Sequence, residues 1–248
     1  MIFGQSHPAS FPSRLLQGVG ILVFRALVCF LYRCEVRRCG PLPPAPVLFA
    51  ANHRSFLDPM LVGMWLHDPI SYFAKAELWR LPIVGFTLRL MHSIPVERDN
   101  PGMSSMKGAI ERLRQRISVL IFPEGTRTRS GRVGRLRDGP ALFARRAGVP
   151  IVPVYVHRTE KAWPRGRPLP TLGNARIAIC FGRPLVPPPG LPPRELDRWM
   201  TNHLHAWFVA VERRMYARRS QGDEKVSEAC EDPGAAICKA RKAKRSHR

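Results

Sequence analysis

The sequence predicts an α/β fold, a single domain with a central mixed sheet flanked by helices. Short apolar runs alternate with helical stretches from residue 47 to residue 181, the pattern of a sheet covered by helices. A length of 248 residues suits one domain of roughly 150 to 200 residues plus appendages. Hydrophobic residues form 45% of the chain and aromatics 8%, enough to fill one core and too much for wholesale disorder.

The stretch from Leu15 to Leu31 is apolar around a central Arg25. It is at the short limit for crossing a bilayer, and a mid-span arginine costs about 2.5–3.5 kcal/mol on insertion scales. An interfacial position suits it better, with apolar side chains among acyl chains and Arg14, Arg25, Arg33, Arg37 and Arg38 reaching lipid phosphates. Residues 1–40 are therefore expected to form an N-terminal membrane-associated helical segment. Gly40 and Pro41, followed by Pro43, Pro44 and Pro46, end it.

The strands predicted next are Val47–Ala51, Ile70–Ala74, Ser93–Glu97, Val119–Phe122, Ile151–Val156 and Arg176–Phe181. Helices are predicted between them at Pro59–Leu66, Ile83–Met91, Ser104–Arg116 and Gly139–Ala147, the last closed by Gly148 with Pro150 just beyond. Pro184 to Pro193 holds six prolines and reads as an extended connector. After it, Arg194–Arg219 places Leu196, Trp199, Leu204, Trp207, Phe208 and Val211 near one side of a terminal helix that packs on the core. Residues 41–219 are expected to form the folded domain. Residues 220–248 read as a disordered basic tail carrying Lys239, Arg241, Lys242, Lys244, Arg245 and Arg248.

Forty Lys plus Arg against 18 Asp plus Glu give a formal charge of +22, which favours an anionic partner: nucleic acid, a phospholipid surface or a phosphorylated substrate. Thirty-three of those cations are Arg, a skew that codon bias would also produce, so charge alone does not choose. No nucleic-acid-binding motif appears and aromatics are not interleaved with the cations, so no nucleic-acid partner is expected. The six cysteines form no C-x-x-C pair and no grouping with His, so no metal site is expected.

The chemistry is expected at three strand ends. Asn52-His53-Arg54-Ser55-Phe56-Leu57-Asp58 follows the first strand and sets an imidazole and a carboxylate five residues apart across a turn into a helix. Asp58 can accept the Nδ1 proton of His53, leaving Nε2 as a base for a substrate hydroxyl. Taken alone, such a spacing also arises by chance. Phe122-Pro123-Glu124-Gly125-Thr126-Arg127-Thr128-Arg129-Ser130-Gly131 follows another apolar strand and combines close backbone approach, hydroxyls and forked donors, as an anion cradle would. It also fits a polar turn at a sheet end. Between them Ile94-Pro95-Val96-Glu97-Arg98 presents an arginine suited to bidentate grip on a phosphate, or to solvent.

These blocks, with Val149-Pro150-Ile151-Val152-Pro153-Val154, resemble in order and spacing the four motifs of the glycerolipid (lysophospholipid) acyltransferase family, over about residues 40 to 185. Lys75-Ala76-Glu77-Leu78 is similar to the family's K-x-E-L, and Leu136-Arg137-Asp138-Gly139 to its F-K-x-G, with Arg137 in place of the usual lysine. His92 stands where the family often has glycine.

The resemblance implies an O-acyltransferase that moves an acyl group from acyl-CoA or acyl-carrier protein to the sn-2 hydroxyl of 1-acyl-sn-glycerol-3-phosphate, giving phosphatidic acid for phospholipid biosynthesis. An alternative acceptor is another lyso-lipid, such as lyso-ornithine lipid. His53 would be the base and Asp58 its orienter. Arg98 would clamp phosphate, and Glu124, Gly125, Thr126 and Arg127 would shape the acceptor site. Lys75 would bind an anion or stabilise the oxyanion. The thioester is already activated, so no cofactor or metal is implied. The expected partners are the lyso-lipid, the acyl donor and an anionic membrane surface, with the active site facing the cytosol.

Overall fold

The computed structural model describes residues 11–68, 70–80, 85, 88, 93–96, 103–128, 130–167, 169–173 and 175–220. In chain order its elements are α1 (Phe11–Tyr32), β1 (Glu35–Arg38), β2 (Leu48–Ala51), α2 (Asp58–Gly63), β3 (Ile70–Lys75), a 3-10 turn (Ala76–Arg80), β4 (Ile94–Val96) and α3 (Met103–Arg114). They continue with β5 (Ser118–Ile121), α4 (Gly139–Ala147), β6 (Ile151–His157), α5 (Thr159–Ala162), β7 (Ala178–Phe181) and α6 (Pro193–Ser220).

The strands form one mixed sheet in the order β1-β7-β6-β2-β5-β3-β4. Every pairing is parallel except β6 with β7, where Val154 faces Phe181 and His157 faces Ala178. Parallel strands buried on both faces need apolar residues at successive positions, and β2 is buried throughout. Leu48 and Ala50 turn to one face with Val119, Ile151 and Tyr155, against Ala109, Leu113, Ala141 and Ala144 of α3 and α4 and Leu204, Phe208 and Val211 of α6. Phe49 and Ala51 turn to the other face with Val152, Val154 and Val156, against Leu61 and Val62 of α2 and Val28 and Tyr32 of α1. The sheet therefore lies between two helical layers.

All six predicted strands and the helix Gly139–Ala147 are present, with small shifts at their ends. The predicted helix Ile83–Met91 falls almost wholly outside the described residues, as does the tail beyond residue 220. Three elements were not foreseen, the 3-10 turn Ala76–Arg80 among them. The strand β1 has the sequence Glu-Val-Arg-Arg and holds its place through pairing with β7 at the sheet edge, where charged side chains meet solvent. The helix α5 is a single turn too short to leave a periodic signature.

The N-terminal apolar stretch is helical and, among the described residues, no helix is long and apolar enough to cross a membrane. One side of α1 packs on the core through Val28 and Tyr32, with Phe24 and Leu31 partly covered. Three arginines expected to reach lipid turn instead onto the protein. Arg25 lies 3.6 Å over the Trp65 ring, Arg38 donates to the Trp65 carbonyl at 2.7 Å, and Arg37 bonds Glu35. The opposite side of α1 exposes Val19, Leu22, Val23, Leu27 and Phe30.

Candidate active site

Because β2, β5 and β6 run parallel, their C-terminal ends and the loops that follow share one edge of the sheet, the usual place for reactive groups in an open α/β sheet. The turn after β2 is fixed by a buried carboxylate. Asp58 has no solvent exposure, and its Oδ2 accepts from the Arg54 amide at 2.6 Å and the Ser55 amide at 2.7 Å. The same oxygen lies 2.8 Å from Nδ1 of His53. With Nδ1 committed to Asp58, Nε2 is the ring nitrogen left for a substrate proton. The imidazole also stacks on Phe122, centroids 4.0 Å apart, and its side chain is 18% exposed.

Asn52 serves the fold. Its amide exchanges two hydrogen bonds with the backbone of Val156, extending the β2–β6 ladder by one side chain. Ser55 donates to the Trp163 carbonyl and accepts from the Leu57 amide, which ties the turn to the loop after α5.

The loop after β5 brackets His53 from both sides. Glu124 Oε1 accepts the His53 amide at 3.0 Å, and the His53 carbonyl accepts the Thr128 amide at 2.8 Å. The other oxygen of Glu124 accepts the Gly134 amide at 3.1 Å, so its carboxylate is committed to backbone at both ends. Gly125 turns the chain at φ +72, and a Cβ there would meet Nε of Arg137 at 2.8 Å. Thr126 is exposed and bonds the Arg127 carbonyl. The Arg127 guanidinium lies 3.6 Å over the Phe56 ring, on the same turn as His53.

A second layer was missed in the sequence. Arg54 is 1% exposed and joins residues of three elements, β6, α5 and α6: its Nη2 donates to the Tyr155 hydroxyl at 2.7 Å and to Glu212 at 2.9 Å, and its Nη1 reaches Glu160 and Tyr216. Burial raises the Tyr155 pKa, partly offset by Arg54, so this hydroxyl stays protonated. Glu212 also accepts the Val133 amide, and Tyr216 donates to the Gly131 carbonyl. The helix α6 thereby holds both loops. One signal was available: Glu212 falls on the stripe that also carries Leu204, Phe208, Val211 and Met215, where a carboxylate needs a buried partner.

His53, Asp58, Glu124, Gly125, Thr126 and Arg127 thus come together. Lys75 ends β3, and only its backbone is described. Arg98 and His92 lie outside the described residues.

A family model described as Acyltransferase matches residues 33–157, half of the chain, and takes in the whole His53–Asp58 turn and the loop through Arg127. The chain belongs to the acyltransferase family. A chloroplastic 1-acyl-sn-glycerol-3-phosphate acyltransferase of Arabidopsis thaliana is 32% identical over 60% of this chain and 43% of its own length. A 1-acyl-sn-glycerol-3-phosphate acyltransferase of Pseudomonas aeruginosa is 30% identical over 59% of this chain and 58% of its own. The chain therefore spans about two fifths to three fifths of the length of these relatives. The crystal structure of the 1-acyl-sn-glycerophosphate acyltransferase of Thermotoga maritima superposes with a TM-score of 0.68 at 22% identity, covering 86% of this chain and 85% of that one, and so shares the fold. Glu212 and Tyr216 lie beyond the family match, so the loops inside it are held by a helix outside it.

Burial raises the pKa of Glu124 from 4.5, outweighing the two amides that favour its charged form. The folded state therefore binds this proton more tightly than the unfolded chain, and the resulting stability is complete below about pH 4.5 and lost as pH rises through the folded value. Relative to Glu124→Gln, which does not titrate, the wild type should lose stability as pH rises above about 4.5. Urea midpoints of the two proteins across that range test this, and a wild type that gains on the variant would reverse the assignment.

Proposed function

We propose that the chain transfers an acyl group from acyl-CoA or acyl-carrier protein to the sn-2 hydroxyl of 1-acyl-sn-glycerol-3-phosphate, forming phosphatidic acid. The observation that carries this reading is the His53–Asp58 pair, 2.8 Å apart beside Arg127, in a chain of the acyltransferase family. The names of the relatives support the acceptor. The arginine favours a phosphate-bearing acceptor over an uncharged one.

As base, His53 takes the proton of the acceptor hydroxyl at Nε2 while the oxygen attacks the thioester carbonyl. Asp58 holds the tautomer and stabilises the imidazolium. When the tetrahedral intermediate collapses, the C–S bond breaks and His53 returns the proton to the departing thiolate. The acceptor oxygen is the nucleophile, so no acyl-enzyme forms. Glu124 acts by holding the His53 backbone, and Lys75 and Arg98 supply further positive charge for phosphate or the oxyanion.

Thiol release from oleoyl-CoA in mixed micelles, with and without lysophosphatidic acid, tests the reaction. Acceptor-dependent release should fall by at least about a thousandfold in His53→Ala with folding intact. Undiminished release would remove His53 as the base.

The exposed side of α1 is the surface that meets the bilayer, because Val19, Leu22, Val23, Leu27 and Phe30 recur at helical spacing and Phe30 is 84% exposed. Thioester donors are cytosolic, so the site faces the cytosol. Replacing Leu22, Leu27 and Phe30 by Glu should weaken binding to vesicles rich in phosphatidylglycerol at least tenfold, by about 1.4 kcal/mol or more, without unfolding the protein. Vesicle sedimentation reads this directly, and unchanged binding would place the contact elsewhere.

A further inference from the structure

Residues Trp163–Arg167 lie outside every motif of the sequence and outside the family match, which ends at residue 157. They form a tight turn next to the catalytic loop. The Arg167 amide donates to the Pro164 carbonyl at 3.4 Å, and Gly166 at the third position has φ +88, the conformation of a type II turn that favours glycine there. Trp163 pins both sides of the turn. Its Nε1 donates to the Arg167 carbonyl at 2.9 Å, and its own carbonyl accepts from Ser55 of the His53–Asp58 turn at 3.1 Å. Its ring packs on Phe56, centroids 5.6 Å apart.

The side chain displayed by this turn is Arg165. Its Nη1 donates to the Arg127 carbonyl at 3.3 Å, so Arg165 is tied to the backbone of the residue whose guanidinium stacks on Phe56. Among the described residues neither Arg127 nor Arg165 forms an ion pair with a carboxylate. Nη1 of Arg127 is buried with no hydrogen-bond partner among the described residues. Arg127 feels the arrangement: burial, then the positive charge of Arg165, push its pKa down, and only Asp58 opposes them. An anion with two or more charged oxygens bound between these two cations would relieve their mutual repulsion.

We propose that Arg165 completes with Arg127 a cleft for a phosphate monoester at the mouth of the site, and so sets a preference for phosphomonoester over phosphodiester substrates. This rests on the acyl-transfer reading. Both the headgroup of lysophosphatidic acid and the 3′-phosphate of coenzyme A present such a group, and the two sources separate kinetically.

The test compares wild type, Arg165→Ala, Arg165→Lys and Arg167→Ala. The last removes one positive charge from the same turn and controls for general electrostatics. Acceptors are lysophosphatidic acid, a monoester, and lysophosphatidylglycerol, a diester, with oleoyl-CoA as donor. Arg165→Ala should raise KM for lysophosphatidic acid about tenfold, leave kcat and the oleoyl-CoA KM within about twofold, and reduce the monoester preference by a similar factor. Arg165→Lys should recover part of the loss, and Arg167→Ala should match wild type. A rise in the oleoyl-CoA KM instead would retain the cleft and give it to the donor. No change in either KM, or an equal effect in Arg167→Ala, would overturn it. Should the wild type turn over neither acceptor, the acyl-transfer reading fails. Calorimetric binding of lysophosphatidic acid then decides the cleft alone: about tenfold weaker binding by Arg165→Ala sustains it, and unchanged binding overturns it.

Discussion

A negative charge with no exposure to water sets the geometry of this site. The Asp58 carboxylate is tolerated where it lies because the Arg54 and Ser55 amides and the His53 ring converge on its Oδ2. Those three donors come from three successive residues, so satisfying the charge dictates the path of the turn. The imidazole is then oriented as a by-product of solvating a buried anion, and its tautomer follows. An arrangement of this kind makes the His53–Asp58 pair and the local fold inseparable.

The turn is in turn locked to the rest of the molecule by a second set of buried polar groups. The backbone of His53 is held on both sides by the loop after β5, through Glu124 and Thr128. Arg54, next in sequence, points the other way and joins Tyr155 of β6 to Glu212 of α6. A buried guanidinium needs many acceptors in fixed directions, and here they come from elements far apart in the chain. The helix α6 thus contributes to the site although it carries neither His53 nor Asp58.

The sheet was legible because its strands are short apolar runs between turn residues, and α4 ended where Gly148 takes the left-handed cap conformation at φ 68. β1 was not legible, since Glu35, Arg37 and Arg38 give no apolar pattern and only pairing with β7 makes them a strand. His53 and Asp58 could be found because both partners lie on one turn. Arg54 could not, because its partners are 101 and 158 residues away, and nothing local marks an arginine as buried in a chain with 33 of them. Arg165 was hidden too, because it lies exposed on a loop and its hydrogen-bond partner, the Arg127 carbonyl, is 38 residues away. For Arg25 and Arg38 the expectation of lipid contact gave way to Trp65, whose ring and carbonyl engage them.

The central claim is that the charge of Asp58 makes His53 a base for acyl transfer. The most direct measurement is kcat/KM for lysophosphatidic acid with oleoyl-CoA in wild type and Asp58→Asn, alongside circular dichroism of both. With the fold retained, a loss of about a thousandfold to ten-thousandfold is predicted, since the amide keeps the shape but not the charge that orients and stabilises the imidazolium. A folded Asp58→Asn protein with activity close to wild type would contradict the account.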